Sequence, residues 1–122
     1  MAHKKEAIVE DVSIISSGVK IEGNLFSLGN VRIDGSVLGN VTVNGNLTIG
    51  DSSELNGEIK ATNITMSGKI IGKVNAHEKL KLESKSVLKG DLITKYLIIE
   101  EGALFEGNSQ MNHSDSSENK EG

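Results

Sequence analysis

The chain has 122 residues, enough for one domain, with no cysteine and no proline, so disulfides and thiolate metal sites are excluded. Its three aromatic residues, Phe26, Tyr96 and Phe105, leave the core to Val, Ile and Leu and offer no platform for stacking nucleic-acid bases. A net charge of −4 argues against a nucleic-acid partner, because phosphate contacts need clustered Lys and Arg.

Residues 1–12 carry Lys4, Lys5, Glu6, Glu10 and Asp11 around one short apolar pair, Ile8-Val9, and read as a flexible N-terminal tail. No apolar run follows Met1-Ala2-His3-Lys4-Lys5-Glu6, and none reaches the roughly 20 residues that span a bilayer, so the expected compartment is the cytoplasm. A repeat then begins. An apolar-x-apolar triplet recurs as Val31-Arg32-Ile33, Leu47-Thr48-Ile49, Ile64-Thr65-Met66, Leu80-Lys81-Leu82 and Leu97-Ile98-Ile99, with starts 16, 17, 16 and 17 residues apart. Between triplets comes a glycine signature: Ile21-Glu22-Gly23-Asn24-Leu25, Val37-Leu38-Gly39-Asn40-Val41, Leu55-Asn56-Gly57-Glu58-Ile59, Ile70-Ile71-Gly72-Lys73-Val74 and Leu88-Lys89-Gly90-Asp91-Leu92. Phe105-Glu106-Gly107 is a last, partial copy.

Apolar and polar residues alternate within each unit, and many are β-branched, which predicts short strands with one buried face. A unit of about 17 residues is one winding of a solenoid. The spacing predicts six windings, starting near Ser13, Val31, Leu47, Ile64, Leu80 and Leu97, each with three strands and three corners. At about 4.8 Å per winding the rod is roughly 29 Å long. Like positions then stack as ladders. One is Ile21, Val37, Leu55, Ile70, Leu88 and Phe105; another is Leu25, Val41, Ile59, Val74 and Leu92; a third is Ile15, Ile33, Ile49, Met66, Leu82 and Ile99. Gly23, Gly39, Gly57, Gly72, Gly90 and Gly107 form a glycine ladder at a bend. The path from triplet to glycine signature is short after Val31 and Ile64, where Gly35 and Gly68 stand, which predicts a corner that is long on alternate windings. Residues 109–122, rich in Ser, Asn and Glu, read as a disordered tail, leaving 13–108 as the solenoid domain.

No constellation of reactive groups emerges. His3 and His113 fall in the tails, and His77 is alone at a corner, too few for a zinc site on the solenoid wall. Glu100-Glu101 is the only adjacent carboxylate pair in the repeat, and neighbours on a strand point to opposite faces. The glycines punctuate strands and open no helix, so no phosphate cradle is present. The threonines complete no single ladder of the ice-binding kind. Seven lysines, at 69, 73, 79, 81, 85, 89 and 95, face only Glu78, Glu83 and Asp91 over the same stretch. They read as surface protection, or else as a lateral contact with another filament or with anionic lipid.

Three runs together resemble the bactofilin family over residues 13–108: Gly29-Asn30-Val31-Arg32-Ile33-Asp34-Gly35, then Val37-x-Gly39-Asn40-Val41, and Leu97-Ile98-Ile99-Glu100-Glu101-Gly102-Ala103-x-Phe105-x-Gly107. The resemblance implies an all-β fold, a right-handed parallel β-helix with a triangular core. It also implies a bacterial cytoskeletal scaffold, not an enzyme, that polymerises end to end without cofactor, nucleotide or metal. Such polymers recruit envelope, morphogenesis or motility proteins, and many attach to the inner face of the membrane through an apolar N-terminal stretch, which here is short.

The residues point to the same self-association. An uncapped solenoid exposes unpaired backbone groups and the cross-section of its core. The expected homopolymer interface is Phe105, Leu97, Ile99 and Ala103 at one end and Ile15, Val19 and Ile21 at the other. A non-polymerising adaptor is the alternative. A left-handed hexapeptide-type enzyme fits less well, since the spacing wavers between 16 and 18 and no histidine ladder exists.

Overall fold

The computed structural model describes residues 13–111. It is a single parallel sheet coiled on itself, without a helix among the described residues. The strands are β1 (Ser13–Ile15), β2 (Lys20–Glu22), β3 (Leu25–Ser27), β4 (Val31–Ile33), β5 (Ser36–Leu38), β6 (Val41–Ile49), β7 (Glu54–Met66), β8 (Lys69–Leu82), β9 (Val87–Ile99) and β10 (Leu104–Met111). The register runs Ser13, Val31, Leu47, Ile64, Leu80, Leu97, so the six expected windings are the six observed ones.

Each winding turns through three faces. The first carries the triplets, the second the positions from 20–22 up to 104–106, and the third those from 25–27 up to 109–111. All three aliphatic ladders stack as the spacing predicts. In windings two to five their members are at most 2% exposed. Beside the inward column of Val31, Leu47, Ile64 and Leu80, one of smaller residues, Val43, Ala61, Ala76 and Thr94, fills the narrow apex after the third face. Burying the Thr94 hydroxyl is tolerable because it donates to the Tyr96 carbonyl at 3.0 Å.

The glycine ladder makes the corner between the second and third faces. Gly57 has φ +141° and Gly90 +131°, a region closed to most L-residues, so the strand bends there without ending. Hence β7, β8 and β9 each run through a glycine for 13 or 14 residues. The first corner alternates between long and short over the first five windings, but the sixth is long again: residues 83–86 and 100–103 make the same turn, so the expected alternation stops there. The short corners at Gly35 and Gly68 lie tightly on the long corner below. A Cβ on Gly35 would come within 2.6 Å of the Ser16 carbonyl oxygen, and one on Gly68 within 2.9 Å of that of Ser53.

One boundary moves. β10 continues to Met111, with Ser109, Gln110 and Met111 in register with Leu92, Ile93 and Thr94, so the solenoid does not stop at residue 108. A parallel ladder is held by backbone groups, and polar side chains at an end winding do not prevent it. The expected N-terminal tail, 1–12, and the rest of the expected C-terminal tail of 109–122, from residue 112 onward, lie outside the described residues.

Candidate assembly interface

The repeat that builds the core also fixes where it is left open. An inward residue is shielded by its like on the winding below and the winding above. The first and last windings lack one of these neighbours among the described residues. Ile15, Ile21 and Leu25 in the first winding, and Leu97, Ala103 and Phe105 in the last, are therefore only partly buried while packed on the core. Ile99 is 49% exposed although Leu82, directly beneath it, is fully buried. Phe105 rests on Leu88 at the top of its ladder.

Exposed large apolar side chains concentrate at the same ends. Of nine among the described residues, four (Ile14, Val19, Phe26 and Leu28) lie in the first winding and three (Ile98, Ile99 and Leu104) in the last. Leu38 and Tyr96 sit in the adjoining windings, and the third and fourth have none. The backbone is open there too: the lower edge of β1, β2 and β3 and the upper edge of β10 have no strand partner among the described residues.

The seven residues expected at the interface thus fall at the two ends. Leu97, Ile99, Ala103 and Phe105 come together on one, and Ile15 and Ile21 on the other. Val19 stands apart on the first long corner, exposed and not packed on the core. The six ladder glycines line one corner, and Gly23 presents an open side at the first winding, where an added Cβ would meet nothing within 4 Å.

Elsewhere the walls are polar and satisfied. Asn30, Asn46 and Asn63 stack at the third corner: Asn30 Oδ1 accepts from the Asn46 backbone N–H at 2.9 Å, and Asn63 Nδ2 donates to Asn46 Oδ1 at 2.9 Å. Sequence reasoning missed this column. Its signal is an asparagine immediately before three successive triplets, polar and so outside a search for apolar repeats. On the first face Arg32 donates to Asp34 at 2.9 Å, which raises the guanidinium pKa through that hydrogen bond and the carboxylate charge. Glu100 lies on a corner, pairs with Lys81 at 3.5 Å and accepts from the Ser84 N–H at 3.2 Å, so it is an anchor and not half of an acid–base pair. His77 is exposed beside a shallow groove lined by Thr42, Val43, Asn44, Lys60, Ala61 and Asn75. Among the described residues no three His, Cys, Asp or Glu side chains converge on a metal position, and no helix is long and apolar enough to cross a membrane.

Comparison with known proteins agrees with this geometry. None of the curated proteins compared matches the chain. The solid-state NMR atomic structure of the cytoskeletal bactofilin BacA is similar over 84% of this chain and 97% of that one, with 31% identity and a TM-score of 0.76. The family model for bactofilins, described as polymer-forming cytoskeletal, matches residues 13–110. With six stacked windings, apolar ends and that match over the whole solenoid, the chain belongs to the bactofilin family, a structural and not an enzymatic one.

Proposed function

We propose that the chain is a cytoplasmic scaffold whose subunits join end to end through the exposed cross-sections of the core, without nucleotide or metal. The filament then serves as a platform for envelope, morphogenesis or motility proteins. The observation that carries this reading is the concentration of exposed large apolar side chains in the two end windings, seven of the nine among the described residues. Stacking a further winding on either end would supply the neighbour that Ile15, Ile21, Leu97, Ile99 and Phe105 lack, and would pair the open strand edges. Burying one aromatic or large aliphatic side chain contributes about 1.5–3 kcal/mol. An end contact of five such residues therefore reaches the range of stable association even after the entropic cost of joining subunits.

The test is Phe105→Arg, examined by electron microscopy, sedimentation and circular dichroism. In a two-fold contact the change places two like charges in a dry interface; in any end contact it leaves a cation without a partner. Within the subunit the arginine reaches solvent past the open end. Filaments should vanish while the β spectrum persists. The unaltered protein should assemble equally well with EDTA and without nucleotide. Filaments that survive Phe105→Arg would refute the end interface, and a lost β spectrum would place Phe105 in the fold instead.

A further inference from the structure

The second face carries two outward positions per winding, and its character changes along the axis. In the third winding these positions are Glu54 and Asn56. In the fourth they are Lys69 and Ile71, in the fifth Val87 and Lys89, and in the sixth Leu104 and Glu106. Lys69 is in register with Val87 and Leu104, and Ile71 with Lys89, so cations and aliphatic side chains form a checkerboard in which Leu104 and Lys89 are exposed and Lys69, Ile71 and Val87 half-buried. Inward Ile70 and Leu88 are fully buried between them, which fixes the outward direction of their neighbours. Lys85 joins at the adjoining long corner.

Two further observations bear on this patch. The ion pairs among the described residues are Lys20–Glu22, Arg32–Asp34, Lys60–Glu58 and Lys81–Glu100, and none involves Lys69, Lys85 or Lys89. The nearby acids bound the patch: Glu54 below Lys69, Glu106 above Lys89, and Glu83 and Glu101 on the long corners beside Lys85. Lys85 also holds φ +75°, the one non-glycine residue among those described with positive φ. The same corner position is Gly18 in the first winding and Gly102 in the sixth. A lysine there keeps a cation at the patch edge at the cost of backbone strain.

We propose that this face docks on an anionic lipid surface, with Lys69, Lys85 and Lys89 at headgroup phosphates and Ile71, Val87 and Leu104 at the acyl boundary. A lipid interface offers negative charge and apolar depth together, which matches the checkerboard. A second filament fits less well, because the acids of the rod are spread around the third and sixth windings and over several corners. In a polymer stacked in register the patch would recur about every 29 Å on one side, converting weak individual contacts into strong attachment. That avidity rests on the end-to-end reading above; the patch itself does not.

Flotation of the full chain with vesicles of phosphatidylglycerol and phosphatidylcholine tests this. Binding should require the anionic lipid and fall with added salt. Each lysine is worth roughly fivefold in membrane affinity. Lys69→Gln with Lys89→Gln should thus weaken binding about 25-fold while filaments still form, and Lys85→Gly about fivefold. Lys79→Gln with Lys95→Gln, the same charge change at the third corner, should alter it little. Phe105→Arg should lose avidity yet keep the dependence on Lys69, Lys85 and Lys89; intact filaments in that variant would overturn the end contact and leave the patch standing. Three outcomes overturn the patch: no binding of the unaltered protein, equal loss in both lysine pairs, or loss only on removing residues 1–12. So does a change in filament bundling with vesicle binding unmoved, which would make the face a contact between filaments.

Discussion

Gly90→Ala tests the stacking of the corner most directly, because Gly23→Ala is its internal control. Both glycines hold φ near +130°, and alanine there costs about 1–3 kcal/mol in backbone strain, offset by about 0.4–1 kcal/mol from a stiffer unfolded chain. They differ in what lies beneath. A Cβ on Gly90 would overlap the Gly72 carbonyl oxygen and approach its carbon to 2.8 Å, whereas one on Gly23 meets nothing within 4 Å. The neighbour is backbone held in the ladder on both sides, so it cannot turn aside as a side chain would. Displacing it should add about 1–3 kcal/mol, the range for forcing atoms into a packed interior. Against a total stability of about 5–15 kcal/mol that difference is large. It corresponds to roughly 5–20 °C in melting temperature for a domain of this size. The assay is thermal unfolding by circular dichroism, with both changes made in the Phe105→Arg background so that assembly does not contribute. Equal losses in the two variants would refute the reasoning, since strain alone would then account for both.

The remaining predictions concern corners and ends. Ser86 Oγ is buried without a partner, whereas Ser53 Oγ, at the corresponding long corner, donates to the Gly50 carbonyl at 2.6 Å and winding six carries Ala103 there. Ser86→Ala should be neutral or stabilising by up to about 1 kcal/mol, and a clear loss of stability in a urea titration would show that the hydroxyl is engaged. Lys85→Gly should relieve the left-handed backbone and raise stability by up to about 1 kcal/mol even as it weakens vesicle binding. A fall in both would mean that the lysine supports the fold. Cutting the chain to residues 13–111 should leave assembly intact by sedimentation, because both end windings are retained; a folded but monomeric fragment would move the interface into the removed segments.

The inward half of this protein is legible because its repeat is enforced by contact. Ile33 sits between Ile15 and Ile49, and Leu55 between Val37 and Ile70, so each buried position meets its own kind and tolerates only aliphatic residues of similar volume. From Gly39 onward the ladder glycines are equally constrained, since each stands against the backbone of the glycine below it. Spacing alone therefore yields windings, register and the location of the two ends.

The outward half obeys weaker rules. Asn46 and Asn63 repeat because their side chains bond each other, but the next residues in that column are Lys79 and Tyr96, which solvent accepts equally well. The continuation of β10 to Met111 is invisible for the same reason: Ser109 follows Leu92 in a column that was aliphatic throughout, and only backbone pairing carries the strand onward. Lys85 shows the limit most clearly. Nothing in its neighbours marks a left-handed residue, and only alignment of its corner with Gly18 and Gly102 reveals it. Residues that contact their own repeats thus announce themselves in one sequence. Those that face solvent, a membrane or another subunit acquire meaning only once the register places Lys69 beside Val87 and Ile71 beside Lys89. The assembly ends lie between these cases. Phe105 is announced by its ladder, and the assembly role proposed for it by the absence, among the described residues, of a next member above it.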